Sequence, residues 1–311
     1  MVIKITFLGT ADQIPSVKRN HTAILLTYNE ENILVDCGEG TQRQIRKAKL
    51  NPCKITRLLI THWHGDHVLG IPGILQTLAL SGYNKTFFIY GPKGTKEFIH
   101  ELLKVFNFTR KYKIDVEEVS GTARCTPNCG VKGQRFFETK DFYLEAKPMN
   151  HGIPCNAYAF VKKGQIRIDK AKLKKSKLPA GPLLQKLKEG KDIIHEGKKY
   201  LAKNLTYGET GKKVSIVLDT LHNEKIVSFV ENSDLLICES SFSSELEGKA
   251  KEHLHLTSKQ AGEIAKKSKS KKLILTHISQ RYENNPKMIL NEAKKVFKNS
   301  HLVNDLDVFE V

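Results

Sequence analysis

Short apolar runs bounded by turn residues alternate with segments of helical spacing along the chain. The apolar runs predict β-strands, and apolar residues recurring every three or four positions predict helices. The predicted strands cover residues 3–8, 23–28, 33–35, 57–61, 87–90, 214–218, 235–238 and 273–276. The predicted helices cover residues 41–50, 68–80, 94–105, 257–267 and 286–297. This alternation predicts a layered α/β sandwich with one core, and we find no internal repeat.

The composition agrees with a large folded domain. Of the 311 residues, 40% are apolar, which is enough to bury a substantial core. No run of 18 or more apolar residues occurs, so we expect no membrane span. The first residues have the pattern of a strand and lack that of a signal peptide, so a cytoplasmic location is the default expectation.

Six cysteines are scattered along the chain, and without a secretory signal they do not indicate a disulfide framework. Cys125 and Cys129 are four positions apart and could form half of a zinc site. No second pair lies nearby at ligand spacing, so we interpret the cysteines as free thiols.

The net charge of +18 favours a polyanionic partner such as nucleic acid, although a lysine-rich proteome would produce the same excess. The charge is uneven. Residues 162–203 contain fourteen basic and four acidic residues, a net charge of +10. Residues 178–182 form a turn signal that separates this segment into two short polar halves. We therefore interpret 162–203 as an inserted, protruding arm.

The densest chemical signal is an HxHxDH motif directly after a predicted strand, at residues 62–67. Alternate side chains of an extended segment face one side, so His62 and His64 can face a common ion. The turn at Gly65 would bring Asp66 and His67 to a second ion. Imidazole and carboxylate together suit Zn²⁺ or a similar divalent metal. The alternative is a chance histidine cluster in a solvated loop, which the position after a strand makes the weaker interpretation.

Four ligands cannot saturate two ions, so further ligands are expected at other strand ends. His151, Asp219 and His277 each follow an apolar run directly, where a loop can present them at one rim of the sheet. Taken singly, each would more often be a capping or surface residue. Together with the motif they predict a two-metal site, which activates water and stabilises charge on a phosphoryl oxygen.

These residues resemble the ligand pattern of the metallo-β-lactamase superfamily. Within it, the chain resembles ribonuclease Z over nearly its whole length. The segments that carry this closer resemblance are residues 7–10, 15–20, 36–42, 61–73, 89–92 and 277–282. The resemblance implies a four-layer αββα sandwich, with one domain over residues 1–311 and a flexible tRNA-binding arm inserted at 162–203.

The resemblance also implies roles for individual residues. His62, His64 and His151 would hold one zinc ion, Asp66, His67 and His277 the other, and Asp219 would bridge them; manganese is the alternative metal. Asp66 and His255 would be catalytic, with His255 protonating the leaving group, His253 as the fallback, and Glu239 orienting a histidine. In the arm, the implied RNA-binding residues are Lys172, Lys174, Lys175, Gly181, Pro182, Lys186 and Lys188. Lysines suit contacts to backbone phosphates rather than to bases.

The expected activity is removal of the 3′ trailer from precursor tRNA by a cytoplasmic homodimer without a nucleotide cofactor or a membrane partner. The cut would follow the discriminator nucleotide, leaving a 3′-hydroxyl on the tRNA and a 5′-phosphate on the trailer. One alternative is another hydrolase of the same fold, a phosphodiesterase or an arylsulfatase-like enzyme acting on a small substrate. The other is a non-catalytic RNA-binding protein. The chain departs from the family pattern at Tyr83, Leu218 and Leu256, without loss of a ligand.

Overall fold

The structure is a computed structural model that describes residues 2–106, 111–119, 133–176, 178–179 and 181–311. Cys125 and Cys129 lie outside the described residues, and the described cysteines are free thiols. The chain divides into two compact units. The main unit comprises Met1–Phe137, Leu144–Phe160 and Lys213–Val311, and the basic unit comprises Glu138–Tyr143 and Val161–Lys212.

Two seven-stranded sheets are formed. The first contains β1 (Lys4–Gly9), β2 (Ala23–Tyr28), β3 (Glu31–Val35), β4 (Arg57–Leu59), β5 (Phe87–Gly91), β6 (Ile114–Glu118) and β18 (Val308–Glu310). The second contains β7 (Gln134–Glu138), β8 (Phe142–Asn150), β9 (Pro154–Lys162), β14 (Lys212–Val217), β15 (Leu235–Glu239), β16 (Leu273–Thr276) and β17 (Ser300–Leu302). The neighbours β3 to β6 are parallel in the first sheet, and β14 to β17 are parallel in the second.

Two short hairpins complete the strands: β10 (Gln165–Ile168) pairs with β13 (Thr206–Glu209), and β11 (Ile193–His195) pairs with β12 (Lys198–Tyr200). The helices are α1 (Thr41–Lys47), α2 (Gly65–Val68), α3 (Ile71–Leu80), α4 (Thr95–Val105), α5 (Lys170–Ser176), α6 (Leu183–Lys188), α7 (Ala202–Leu205), α8 (Glu224–Phe229), α9 (Glu247–Glu252), α10 (Ser258–Lys267) and α11 (Lys287–Val296). Short 3₁₀ helices occur at Pro52–Lys54, Ser244–Leu246 and Gln280–Tyr282. None of the described helices combines the length and apolar character that crossing a bilayer requires.

The predicted helix at 68–80 contains the whole of α3 and only the last residue of α2, Val68. Pro72 stands in the first turn of α3, where its missing N–H costs nothing, so a helix starts there rather than continuing through. Gly70 separates α2 from α3, and a Cβ at Gly70 would lie 2.2 Å from the carbonyl oxygen of Gly38. This close approach holds the loop after β3 against the loop that carries the HxHxDH motif.

The parallel strands end in polar side chains. In the second sheet, β14 is followed by Leu218 and Asp219, β15 ends at Glu239, and β16 is followed by His277. In the first sheet, β4 leads into the HxHxDH motif. Parallel strands present their carboxyl ends at one edge of a sheet, so in each sheet the topology gathers these side chains at one edge.

The basic unit has a small apolar core of its own. Leu178, Leu187, Ile193, Ala202 and Leu205 are buried together, and side chains of β10, α5, α6 and β12 pack against them. The prediction of two polar halves was therefore incomplete. The lysines alternate with apolar residues at helical spacing, as at Leu183, Leu184 and Leu187, so the segment can bury one face while it exposes its charges.

The packing of the loop after β3 against the loop that carries the HxHxDH motif depends most directly on Gly38. A Cβ there would lie 2.3 Å from the carbonyl oxygen of Asp66 and 2.5 Å from Cβ of His21. We expect Gly38→Ala to lower the free energy of unfolding by about 1–3 kcal/mol through overpacking. Gly248→Ala is the matched control, because no atom lies within 4 Å of a Cβ at Gly248. Urea unfolding of both variants measures the difference, and equal stabilities would contradict this role of Gly38.

Candidate metal centre

The HxHxDH motif is held in two parts. His62 follows the end of β4 by three residues, and the backbone between them is fixed by the Tyr158 hydroxyl, which donates to the Ile60 carbonyl at 2.7 Å. His64 is the residue that precedes α2, and Asp66 and His67 lie in the first turn of that helix. The short helix therefore turns the chain so that the last two motif residues face the same space as the first two.

The first group of side chains is His62, His64, His151 and Asp219. Nδ1 of His64 lies 3.0 Å from Nε2 of His62 and 3.2 Å from Nε2 of His151. Oδ2 of Asp219 lies 3.6 Å from Nε2 of His62 and 3.5 Å from Nε2 of His151.

The second group is Asp66, His67, Asp219 and His277. Nε2 of His67 lies 3.1 Å from Oδ2 of Asp66, 3.3 Å from Nε2 of His277 and 3.4 Å from Oδ2 of Asp219. Oδ1 of Asp219 lies 3.1 Å from Nε2 of His277. Asp219 belongs to both groups and is 98% buried, with 2% of its surface exposed.

These distances fit two bound cations. Ligand atoms placed tetrahedrally about 2.0–2.1 Å from an ion lie about 3.3 Å from one another, close to the spacing within each group. Oδ1 of Asp219 is buried and accepts no hydrogen bond from any described residue. Burial lowers the pKa of His62 well below its usual value, so the His62 ring is neutral and can act as a ligand.

Outer hydrogen bonds fix which nitrogen of each ring faces the centre. Asp36 accepts from the Thr61 N–H and hydroxyl at 2.7 Å each, and its Oδ2 lies 2.7 Å from Nδ1 of His67. The Thr61 oxygen in turn lies 3.1 Å from Nδ1 of His62, from which it accepts. Both rings therefore carry their proton on Nδ1 and direct the Nε2 lone pair inward. The nitrogens in the centre cannot hydrogen-bond to one another without a proton, and a cation satisfies them all.

His151 and His277 are oriented in the same way. Nδ1 of His151 donates to the Leu254 carbonyl at 3.0 Å. Nδ1 of His277 lies 2.8 Å from the hydroxyl of Ser241, whose own proton is donated to Glu239 at 2.7 Å. His277 has a φ of 58°, a left-handed conformation that is costly for a non-glycine residue. The hydrogen bond between its ring and Ser241 helps to hold His277 in this position.

His255 lies beside both groups. Its ring centroid is 5.0 Å from that of His151 and 5.6 Å from that of His277, and its Nδ1 is 3.0 Å from Oε2 of Glu239. Burial lowers the pKa of His255, but the carboxylates of Glu239 and Asp219 outweigh burial and raise that pKa to about 9. With Nδ1 held by Glu239, Nε2 is the atom free to exchange a proton.

A cavity of about 330 Å³ opens onto these groups. Besides the ligands it is lined by His253, Phe242 and Arg281. His253 is exposed and stacks on Phe242, with the ring centroids 6.2 Å apart. The Arg281 guanidinium lies 5.3 Å from the centroid of the same ring and donates to the Ser279 hydroxyl at 3.0 Å. Tyr83, whose role the sequence did not indicate, is buried and donates to the Ile55 carbonyl at 3.3 Å.

The seven predicted metal ligands are thus brought together by the structure, with His255 beside them. The predicted RNA-binding residues lie in the basic unit, where all are exposed: Lys172, Lys174, Lys175, Gly181, Pro182, Lys186 and Lys188. Lys172 forms an exposed ion pair with Asp169 at 3.7 Å.

Sequence reasoning missed Asp36, Thr61 and Ser241 as supports of the ligands. Asp36 follows β3 and Thr61 follows β4, and these strands are parallel neighbours, so a predicted pairing of the two would have placed both side chains at one edge. Ser241 carries no comparable signal. It lies two residues beyond Glu239, in a serine-rich stretch where the sequence does not distinguish one hydroxyl from the next.

The chain is similar in sequence and in fold to several known proteins. A family model described as Anti-Pycsar protein Apyc1 matches residues 3–161. A ribonuclease Z of Bacillus cereus (strain G9842) is 37% identical over 320 aligned residues, which cover 99% of each chain. Human tRNase Z, short form, has a TM-score of 0.70 at 27% identity and covers 98% of each chain. The metallo-β-lactamase fold protein YhfI from Bacillus subtilis has a TM-score of 0.69 at 19% identity and covers 100% of this chain and 99% of that one. The predicted metallo-β-lactamase fold is confirmed.

We expect Asp36→Asn to weaken divalent-ion affinity by about 10–100-fold while the chain stays folded. Asp36 has a φ of 56°, which asparagine adopts as readily as aspartate. The amide has one acceptor oxygen instead of two, so it cannot accept from both Thr61 groups and His67. Zinc affinity measured by chelator competition tests this, with the exposed Asp115→Asn as the control. An affinity equal to that of the control would show that Asp36 does not support the centre.

Proposed function

Because the chain belongs to the ribonuclease Z family, and in residues 3–161 to the family described as Anti-Pycsar protein Apyc1, we propose that it removes the 3′ trailer from precursor tRNA. It is a metal-dependent endoribonuclease. The observation that carries the proposal is the 37% identity over 99% of both chains. The alignment with ribonuclease Z includes the basic segment and the later predicted metal ligands, whereas the match to the Apyc1 family model ends at residue 161.

His62, His64 and His151 would hold one divalent ion, and Asp66, His67 and His277 the other, with Asp219 shared. The interatomic distances within the two groups support this division. The donor set of imidazole and carboxylate favours zinc, and manganese is the alternative. When bound, such a pair of ions lowers the pKa of a coordinated water and stabilises negative charge on a phosphoryl oxygen.

The chain's own residues orient the substrate and move the proton. The scissile phosphate enters the cavity, where Arg281 is placed to bind a neighbouring phosphate oxygen. Water gives up one proton to solvent and attacks phosphorus as hydroxide, and the bond between phosphorus and the 3′ oxygen of the discriminator nucleotide breaks. His255 donates the proton on Nε2 to that oxygen, while Glu239 holds the ring and stabilises its charged form. The products are a tRNA with a 3′-hydroxyl and a trailer with a 5′-phosphate.

The basic unit would bind the tRNA. It contains the segment 162–203 with its net charge of +10, and its lysines are exposed while its apolar residues form a separate core. Because the unit has its own core, its exposed lysines lie on a folded surface rather than on an unstructured chain. Backbone phosphates are its natural partners, because lysine ammonium groups neutralise phosphates without reading bases. A homodimer and a cytoplasmic location, both implied by the family resemblance, complete the proposal.

The first test compares wild type with a variant in which Gln165–Glu209 is replaced by Asn-Gly. Gln165 and Glu209 are directly paired, so a two-residue turn can close the gap. We expect wild type to make one metal-dependent cut in a 3′-extended precursor tRNA. In the variant, kcat/KM for that precursor should fall by about 100-fold, because the phosphate contacts are lost. Hydrolysis of bis-p-nitrophenyl phosphate should persist, because the metal ligands lie outside the replaced segment.

Mature tRNA is the substrate control, and neutralising Lys172, Lys174, Lys175, Lys186 and Lys188 to glutamine separates charge from shape. Hydrolysis of the small ester without a cut in any precursor tRNA would overturn the processing function. It would favour a phosphodiesterase of small substrates instead.

His255→Gln tests the leaving-group role. Glutamine keeps a polar side chain near Glu239 but cannot donate a proton as an acid, so kcat should fall by about 100-fold or more with little change in KM. Bound zinc, measured by elemental analysis, should equal that of wild type. His253→Gln is the comparison: a larger loss there than at His255 would reverse the assignment of the two histidines.

A further inference from the structure

Two segments of the chain together account for its net positive charge. The segment 162–203 has a net charge of +10. The segment 257–301 contains eleven basic and three acidic residues, a net charge of +8. All remaining residues together contain 26 basic and 26 acidic residues, so they are neutral. The proposed function gives the first segment a partner, but it assigns none to the lysines of the second segment.

The topology collects the lysines of the second segment at one edge of the main unit. The helix α10 connects β15 to β16, and α11 connects β16 to β17, and these strands are parallel. Both helices must therefore run back against the strands, so their carboxyl ends lie at the edge where β16 and β17 begin. The two helices pack closely, since a Cβ at Gly262 would lie 3.0 Å from the Ala293 carbonyl.

Five lysines at this edge define what we call the lysine edge: Lys266, Lys269, Lys294, Lys295 and Lys298. All five are exposed, and within the described part of the chain none of them forms an ion pair with a carboxylate. Their neighbours Lys267 and Lys271 do form ion pairs, with Glu224 at 3.1 Å and Asp234 at 2.8 Å. No ion pair with a described residue therefore offsets the charges of the five lysines.

The loops on which these lysines lie are joined. The Leu273 N–H donates to the Asn299 carbonyl at 3.0 Å, and the Asn299 side chain donates to the Lys271 carbonyl at 2.5 Å. The pKa of His301 is lowered, first by burial and then by the ammonium groups of Lys272 and Lys294. The two lysines therefore make the electrostatic potential at this ring positive. The lysine edge is a single positively charged surface rather than two separate helix ends.

The lysine edge and the metal centre lie at opposite ends of the same strand. Lys272 directly precedes β16, and His277 directly follows it. Five residue steps of extended chain span about 17 Å. A phosphate bound at the lysine edge is therefore not the scissile phosphate or its direct neighbour, and it belongs to a part of the RNA several nucleotides away.

We propose that the lysine edge binds the backbone of the single-stranded 3′ trailer, so that the protein acts preferentially on precursors with long trailers. The inference rests on the proposed function, since it takes the substrate to be a precursor tRNA. The trailer is the part of that substrate for which no other surface is assigned. Lysines with flexible stems suit a strand without fixed shape, because they neutralise phosphates without requiring a base sequence.

The surrounding surface favours RNA over a membrane. Residues 257–301 contain no large apolar side chain that is exposed. A surface that inserts into a bilayer presents apolar residues beside its charges, and this surface does not. It also has no exposed aromatic ring on which a base could stack, so binding should be independent of sequence and strongly dependent on salt.

The test uses three forms of the full chain. The edge variant replaces the five lysines by glutamine, and the rescue variant replaces them by arginine. The control variant replaces five other exposed lysines by glutamine: Lys4, Lys54, Lys85, Lys93 and Lys96. It removes the same charge from residues outside both basic segments, so it separates a local effect from one of net charge.

Cleavage is measured on precursors with trailers of about 2 and about 20 nucleotides, the longer one exceeding the length that a single-strand site commonly covers. We expect wild type and the control variant to show a lower KM for the long trailer. In the edge variant KM for the long trailer should rise about tenfold, with a much smaller rise for the short one. The rescue variant should behave as wild type. The salt dependence of KM for the long trailer should also become shallower in the edge variant, by about 0.7 in the logarithmic slope for each lost contact.

Two outcomes overturn the proposal: equal effects of the edge variant on both trailers, or a wild-type KM independent of trailer length. Failure of wild type to cut any precursor is a separate result that removes the proposed function. In that case, anisotropy of a labelled single-stranded RNA decides: binding lost in the edge variant but kept in the control variant supports the lysine edge. Binding to phosphatidylserine vesicles that depends on the five lysines, without RNA binding, would assign the surface to membranes instead.

Discussion

The carboxylate of Asp219 is the group on which the rest of the structure depends. It is almost fully buried and lies 3.1–3.6 Å from nitrogens of four histidines. A buried carboxylate is stable only when positive charge surrounds it, and a ring of inward-facing imidazole lone pairs does not supply that charge. A divalent cation bound by the surrounding groups would supply that charge. The fold around Asp219 is therefore an arrangement of strand ends that brings imidazole and carboxylate groups together around a buried charge.

Much of this could be predicted from the sequence, because the ligands lie directly beside strands. His277 and the HxHxDH motif follow short apolar runs that predict strands. A side chain one to three residues beyond a strand end must lie near that edge of the sheet. The strands at 23–28 and 273–276 were predicted with the bounds that the structure shows. What the local pattern could not supply was the pairing of distant strands. The distance from Oδ2 of Asp36 to Nδ1 of His67, 2.7 Å, follows from the parallel pairing of β3 with β4, and this pairing is not visible in either strand alone.

The break between α2 and α3 shows a different limit. The apolar spacing continues through residues 68–80, so it predicts one helix from the last residue of α2 to the end of α3. Pro72 and Gly70 interrupt the helix for different reasons. Proline favours a helix start at its own position, and glycine permits the approach of Gly38 that no side chain would allow. The site depends on this break, since an uninterrupted helix would leave no loop to pack against the strand end at Asp36.

The two lysine-rich segments contain one of the seven predicted metal ligands, His277. The remaining residues, which include the other six ligands, contain 26 basic and 26 acidic residues. A strongly positive centre would raise the cost of binding divalent cations, because like charges repel at short range in a partly dry site. An RNA substrate nevertheless requires positive charge for affinity, and only long-range attraction and contacts to remote phosphates can provide it without opposing the metals. Within the main unit, the lysine edge lies at the opposite end of β16 from His277, where positive charge does not oppose a bound metal ion. We therefore expect substitution of its lysines to lower the affinity for RNA without changing the affinity for metal.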